Sequence, residues 1–265
     1  MKKSFPWALV MIQPKPLPGS YLNNGESFDE VLNDAINEAD MIAKMGFDGF
    51  IIQNMHDGPI EQNARTETTA YMTRLGMELR NRYPDLIVGV LINWDGLASL
   101  AVAEAINADF VRVEHLYTGV SITDTGFMFG QCKSILEMKK RLNSTIPIYA
   151  DVQEVNSMYL VPRPKDVAAL DVVNKAYADG IFISGNNKDE SLAYIKSIRK
   201  TLVDTPIFLG GGATGDNVCE LMKYYDGVSV ATWIKNGNMR NPIDPQRASY
   251  FLSEIEKARK YRNNL

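Results

Sequence analysis

Pro206-Ile-Phe-Leu-Gly-Gly-Gly-Ala-Thr214 is a short apolar run that ends in a string of the smallest residues, and Asp226-Gly-Val-Ser-Val-Ala-Thr232 repeats the pattern soon after. Each reads as a buried strand opening into a turn poor in side chains. Such turns let backbone N–H groups point at an anion, and in a barrel of alternating strands and helices the loops after strands 7 and 8 often hold a phosphate. The two stretches therefore read as halves of one phosphate clamp: Gly210, Gly211, Gly212, Ala213 and Thr214 on one side, Ala231 and Thr232 on the other. Lys235 either adds a point charge to the clamp or is a solvated loop lysine.

Six more apolar runs precede these two, at 7–12, 49–53, 87–93, 110–114, 148–152 and 181–184, and with 207–209 and 228–231 they make eight strand candidates. Their near-continuous Val/Ile/Phe/Leu content suits parallel strands covered on both faces. Helical patterns separate them. Ser27 with Glu30 spells a capping box, after which Phe28, Val31, Leu32, Ala35, Ala39 and Ile42 form one apolar stripe. Asp244-Pro245 places an N-cap before a first-turn proline for the last helix. Val218, Leu221, Met222 and Tyr225 give a helix directly after the glycine loop. The expected fold is α/β, a single (β/α)8 TIM barrel spanning residues 1–265 as one domain.

A weak repeat supports it. Asp48, Asp109, Asp179 and Asp226 each stand just before an even-numbered strand, at helix-to-strand junctions. That is the stabilising face of a barrel, so these four are read as turn and cap groups and excluded from the site.

Composition narrows the function. The net charge is −4 and no lysine/arginine stripe occurs, which gives no electrostatic footprint for nucleic acid. No apolar run approaches the roughly 18 residues that cross a bilayer, and no signal peptide is read, so the cytoplasm is the expected compartment. The two cysteines, Cys132 and Cys219, support neither a disulfide framework nor a zinc site. None of the sixteen lysines falls within a strand candidate, which disfavours an imine-forming lysine on the barrel wall. His56 and His115 lack serine or aspartate partners at a nucleophile spacing.

What remains at the upper rim is carboxylate and amide: Asn54 and Asp57 after strand 2, Asp95 after strand 3, Glu114 ending strand 4, Asp124 in the following loop and Asp151 near the end of strand 5. Such a cluster raises one pKa for proton transfer or takes a divalent cation such as Mg²⁺. Asp151 is the leading acid/base candidate, with Glu114 or Asp95 as its partner; a structural cap explains Asp151 equally well. Arg112 is either the centre of a buried ion-pair network or a substrate clamp. Asp57 is as readily a turn residue as a ligand.

The chain also resembles the BtpA/SgcQ family of barrel proteins. The resemblance runs through Met11-Ile-Gln-Pro-Lys-Pro-Leu-Pro-Gly19, Gln53-Asn-Met-His-Asp-Gly-Pro59, Phe110-Val-Arg-Val113, Thr118-Gly119, Thr123-Asp-Thr-Gly126, Ala150-Asp-Val152, Gly210-Gly-Gly-Ala-Thr214 and Asn241-Pro-Ile-Asp244. It implies a TIM barrel whose polar rim includes Asn54, Asp57, Asp95, Arg112, Asp124 and Asp151 beside the glycine loop, without assigning their roles. The family usually has a histidine where Gln13 stands, Arg-Asn-Asp where Asn93-Trp-Asp95 stands, and a histidine/lysine-bearing segment in place of 153–157. Its members are described variously as a photosystem I biogenesis factor, a sugar-operon enzyme and phosphoribosylanthranilate isomerase.

Two functions follow as expectations. One is an enzyme that isomerises or cleaves a phosphorylated sugar or nucleotide by carboxylate acid/base chemistry. The other is a noncatalytic ligand-sensing or assembly factor, which an exposed apolar patch outside the rim would favour. A homo-oligomer is compatible with either.

Overall fold

The computed structural model describes residues 4–117, 120–154 and 156–264. Eight parallel strands close a barrel: β1 (Trp7–Ile12), β2 (Gly49–Gln53), β3 (Ile87–Leu91), β4 (Phe110–Val113), β7 (Ile148–Asp151), β9 (Gly180–Phe182), β10 (Ile207–Leu209) and β11 (Gly227–Val230). The remaining strands, β5 (Val120–Thr123), β6 (Gly126–Phe129) and β8 (Met158–Tyr159), form a separate antiparallel sheet in the order β6-β5-β8. Helices α1 (Phe28–Met45), α2 (Thr66–Arg82), α3 (Gly96–Ala105), α4 (Cys132–Arg141), α5 (Lys165–Asn174), α6 (Lys188–Ile198), α7 (Val218–Leu221) and α8 (Pro245–Asn263) alternate with the barrel strands. The ring closes where β1 pairs with β11, Trp7 opposite Gly227. This is the TIM barrel.

The apolar runs explain the layering. One side of each strand faces the helices, and there Val10, Ile12, Phe50, Val88, Val111 and their neighbours pack against the helical stripes. The other side fills the interior, where Leu9, Met11, Ile51 and Leu91 meet the rings of Phe110, Tyr149, Phe182 and Phe208. These rings pack at centroid distances near 5 Å: 5.0 Å for Phe110–Tyr149 and 5.1 Å for Phe182–Phe208. They form an aromatic floor, and the polar site begins directly above it. Strands β2 and β3 approach so closely that a Cβ on Gly49 would lie 2.0 Å from the Ile87 carbonyl oxygen.

The helix ends follow their sequence signals. Ser27 and Glu30 complete a reciprocal capping box on α1, and Asp244 accepts from the amides of Gln246 and Arg247 ahead of Pro245. The helix expected after the glycine loop is cut to four residues, Val218–Leu221, and turns occupy 215–217. The glycine loop therefore opens, through those turns, onto a single helical turn.

The repeated aspartates do one job four times. Each carboxylate accepts from an amide in the first two residues of the preceding barrel strand: Asp48 from Ala8 at 2.7 Å, Asp109 from Val88 at 2.8 Å, Asp179 from Ile148 at 2.8 Å and Asp226 from Ile207 at 2.9 Å. Each also pairs with a helix cation: Arg259, Arg80, Lys139, and Arg199 with Arg262. Orphan strand amides at the lower face are thereby satisfied and the helices are pinned to the strands.

Among the described residues, no helix is long and apolar enough to cross a membrane.

Candidate functional site

Arg112 points from β4 across the top of the aromatic floor, its guanidinium 4.2 Å from the Phe182 ring centre. It gives Nε and Nη2 to the two carboxylate oxygens of Asp151 on β7, at 2.8 and 2.7 Å, and Nη1 reaches Ser229 Oγ on β11 at 3.4 Å. Gly210, at the end of β10, lies over the same pair: a Cβ there would stand 3.3 Å from Arg112 Nη2 and 3.6 Å from Asp151 Oδ1. One side chain thus ties strands β4, β7, β9 and β11 together beneath the glycine loop.

Two further carboxylates share this cation. Glu114, just past the end of β4, is buried; its Oε1 receives only a long contact from Asn93 Nδ2 at 3.5 Å and its Oε2 receives none among the described residues. Burial, reinforced by the charges of Asp151 and Glu154, raises its pKa well above the usual carboxyl range despite the pull of Arg112. Glu154, in the loop after β7, accepts from the amide and side chain of Asn156 and from Ser157 Oγ, and burial raises its pKa as well. Three carboxylates therefore face one guanidinium, which is committed to Asp151. Among the described residues Glu114 is left without a counter-charge of its own, which favours its protonated form.

The other rim residues have structural duties. Asp95 caps α3 through Leu97 and Ala98 and also accepts from Ala64 N and Gln131 Nε2. Asp57 takes the Leu17 amide at 2.7 Å and Asn54 Nδ2 at 3.1 Å, while Asn54 Oδ1 accepts the Asn93 amide at 2.8 Å, so this pair anchors the first loop to the rim. Asp124 lies exposed in the turn between β5 and β6, on the small sheet. Lys235 is not a solvated loop lysine: it is buried, 1% exposed, and pairs with Glu38 of α1 at 2.5 Å. Thr118-Gly119 lies outside the described residues.

In the glycine loop, Asn217 Oδ1 accepts the Thr214 amide and Asn217 Nδ2 donates to the Gly212 carbonyl, which sets the turn; Gly212 sits in the left-handed region at φ 75°. Among the described residues no acceptor meets the amides of Gly211, Gly212 or Ala213. Gly211 is open: a methyl group placed on it would find its nearest neighbour, Ser184 Oγ, at 4.0 Å. Ala231 packs on the inner core, and the Thr232 carbonyl closes a 3-10 turn, 233–235.

Glu154 and Ser229 escaped the sequence reading. An acid three residues beyond a strand-end aspartate was the available signal for Glu154; Ser229, in mid-strand, offered none. His115, beside Glu114, is fully buried with both ring nitrogens unpartnered among the described residues, stacks on Trp94 at 5.3 Å, and is pushed down to about 4 by burial. It is neutral there. Among the described residues no group of three or more His, Cys, Asp and Glu side chains is arranged to hold a metal ion.

Comparison with known proteins agrees with this architecture. A family model described as the BtpA family matches residues 7–257. An uncharacterized protein of Thermococcus kodakarensis is 34% identical over 252 residues, 94% of this chain and 95% of its own. The photosystem I biogenesis protein BtpA of Synechocystis sp. is 32% identical over 250 residues, 92% of this chain and 86% of its own. Among solved structures, phosphoribosyl anthranilate isomerase from Thermococcus kodakaraensis matches with a TM-score of 0.54 over 96% of this chain and 99% of its own, at 12% identity, a likeness of fold alone.

Proposed function

The chain belongs to the BtpA family, and from that premise we propose that it is an enzyme that binds a phosphorylated sugar or nucleotide and isomerises it, or cleaves a bond beside its carbonyl or anomeric carbon. The observation that carries this reading is the set of three buried carboxylates around one guanidinium, directly beneath the glycine loop. The unpartnered amides of Gly211, Gly212 and Ala213 receive the phosphate, and its charge is balanced by the loop dipoles rather than by Lys235. The likeness to a phosphoribosyl anthranilate isomerase fold supports a phosphorylated substrate as an analogy of fold and no more.

Glu114 is the proton donor. With its pKa raised by burial, it gives its proton to the substrate's carbonyl or ring oxygen, and the carboxylate left behind is stabilised by Arg112. In an isomerisation, Asp151 takes a proton from the adjacent carbon, giving an enediol; both its oxygens accept from Arg112, yet each keeps a lone pair for this step. Asp151 then delivers its proton to the former carbonyl carbon while the Glu114 carboxylate takes the proton of the other enediol hydroxyl, so the carbonyl has moved by one carbon and both acids are as they began. Asp95 and Asp57 hold the rim in place.

Thermal-shift titration with a panel of sugar phosphates and nucleoside monophosphates, with and without Mg²⁺, tests the reading. A ligand at 100 times its Kd stabilises by about 2.7 kcal/mol. A shift from one class, lost in Gly211→Asp, identifies the substrate family, in which Glu114→Gln and Asp151→Asn must then abolish turnover. No shift from any member overturns the proposal.

A second reading has its own observation. The outer face of the small sheet carries two apolar ranks, Phe127-Ile122-Met158 and Phe129-Val120-Leu160, with Phe127 60%, Met158 73%, Phe129 55% and Leu160 54% exposed. Such a face marks a docking surface, which fits a noncatalytic assembly factor and the biogenesis role for which the Synechocystis relative is named. It predicts that the ligand panel fails while Phe127→Ser/Phe129→Ser abolishes association with a partner.

A further inference from the structure

A large cavity lies off the barrel axis. It has a volume of about 680 Å³ and sits between the loop after β1, the outer side of α1 and the loop joining β11 to α8. That is the size range of small-molecule sites, which combine an apolar lining with a few convergent polar groups. Met41, Met239, Leu22 and Ile243 supply the lining here. We infer that this cavity is a second ligand site, for a small amphiphilic anion: an apolar body carrying one anionic group and one hydrogen-bond donor. The inference stands apart from the phosphate reading of the axial site, since the two share no residue.

The charges around the cavity are divided between its walls. On the rim formed by the first loop and α1, Lys15 pairs with Asp34 at 2.6 Å and feels Glu26 and Glu30. On the opposite wall, Lys235 is consumed by Glu38, whereas the Arg240 guanidinium makes no ion pair among the described residues. Both cations of that wall face His56 closely enough to disfavour its charged form. An anionic group entering the cavity is therefore drawn to the β11–α8 loop and meets Arg240, the cation that has no acid of its own.

The hydrogen-bond preference comes from His56, which is more than nine-tenths buried and lines the cavity. Its Nδ1 lies 3.1 Å from the Pro14 carbonyl oxygen, which can only accept, so Nδ1 carries the proton. Burial, the largest influence, disfavours the charged ring, and in the neutral ring with its proton on Nδ1 the lone pair is on Nε2. A ligand N–H or O–H is what that nitrogen matches. The buried Lys235–Glu38 pair fixes the wall behind it, joining α1 to the β11–α8 loop so that the two sides of the cavity hold a set spacing.

The probe is 8-anilinonaphthalene-1-sulfonate, which has a sulfonate, one N–H and an apolar body, read by fluorescence titration of the full chain. Three variants accompany the wild type: Met41→Trp, which fills the cavity; Arg240→Glu, an exposed change that leaves packing alone; and Phe127→Ser/Phe129→Ser, which removes the exposed sheet face as an alternative dye site. The expected result is saturable one-site binding in the wild type, lost in Met41→Trp, weakened about fivefold at low salt in Arg240→Glu, and unchanged in the sheet variant. No saturable binding in the wild type overturns the site, as does binding removed only in the sheet variant. So does full-affinity binding to both Arg240→Glu and a natively folded Met41→Trp. Should Met41→Trp not fold, Arg240→Glu decides alone. Sugar-phosphate titrations read the axial site separately, so failure of one site is visible beside success of the other.

Discussion

Asp151 receives two hydrogen bonds from Arg112, at 2.7 and 2.8 Å, with both side chains about one-tenth exposed. A buried bidentate pair contributes little by itself compared with apolar packing, but losing one partner leaves a stranded charge, at a cost of about 3–5 kcal/mol. Arg112→Met is therefore expected to destabilise by that amount, because Asp151 is left as a buried carboxylate without its counter-charge. Arg112→Met/Asp151→Leu should recover most of the loss. Urea unfolding of both variants measures it; equal stability of the single and double variants would show that the pair is not what the surrounding acids depend on.

The pH dependence of stability has a definite sign at Glu114. Its folded pKa is raised, so the folded state keeps a proton that the unfolded chain releases from about the ordinary value of 4.5 upward. Its contribution is thus complete below that value and is lost as pH rises through the folded pKa. Glu114→Gln removes this term and leaves the similarly raised Glu154, Asp57 and Glu38 in place. Between pH 5 and pH 8 the urea midpoint of the wild type should fall relative to that of Glu114→Gln. Parallel midpoints across that range would mean that Glu114 ionises normally.

Adjacent glycines should respond differently. A methyl on Gly210 comes within 3.3 Å of Arg112 Nη2, tight enough that the guanidinium must move, while one on Gly211 finds nothing nearer than 4.0 Å. Gly210→Ala should weaken binding of whichever phosphorylated ligand the panel identifies, by about tenfold if the shift costs roughly 1.4 kcal/mol, whereas Gly211→Ala should bind normally. Calorimetric titration of the two variants distinguishes a glycine needed for space from one needed for nothing but its amide.

What the sequence made legible was what depends on local pattern. Strands β1, β2 and β10 fall where their apolar runs lie, the Ser27–Glu30 box and the Asp244 cap form as spelled, and the four repeated aspartates occupy the lower face. The small sheet was missed because Thr123-Asp-Thr-Gly126 is both a hairpin turn and a polar strand-end motif, and only three-dimensional pairing separates the two. The capping duty of Asp95 was not legible because its partners, Leu97 and Ala98, look like any helix start after a rim carboxylate. The commitment of Arg112 to Asp151 depends on two strands being neighbours in the barrel, which no spacing along the chain encodes.

Lys235 illustrates the same limit and carries the last prediction. Its partner Glu38 lies on the first helix, far away in sequence, and the pair forms only because ring closure brings the eighth strand beside the first. Burial raises the pKa of Glu38 even against the pull of Lys235, so the carboxyl can escape an unpaired state by taking a proton. The cost of Lys235→Met should therefore depend on pH. At pH 8 the stranded carboxylate destabilises by about 3 kcal/mol; near pH 5, where Glu38 can protonate, most of that loss should disappear. Lys235→Met/Glu38→Leu removes both charges and should show little of this pH dependence. Chemical denaturation of the three proteins at both pH values decides the matter: a penalty for Lys235→Met that is the same at pH 5 and pH 8 would mean that its cause is lost packing rather than an unpaired acid.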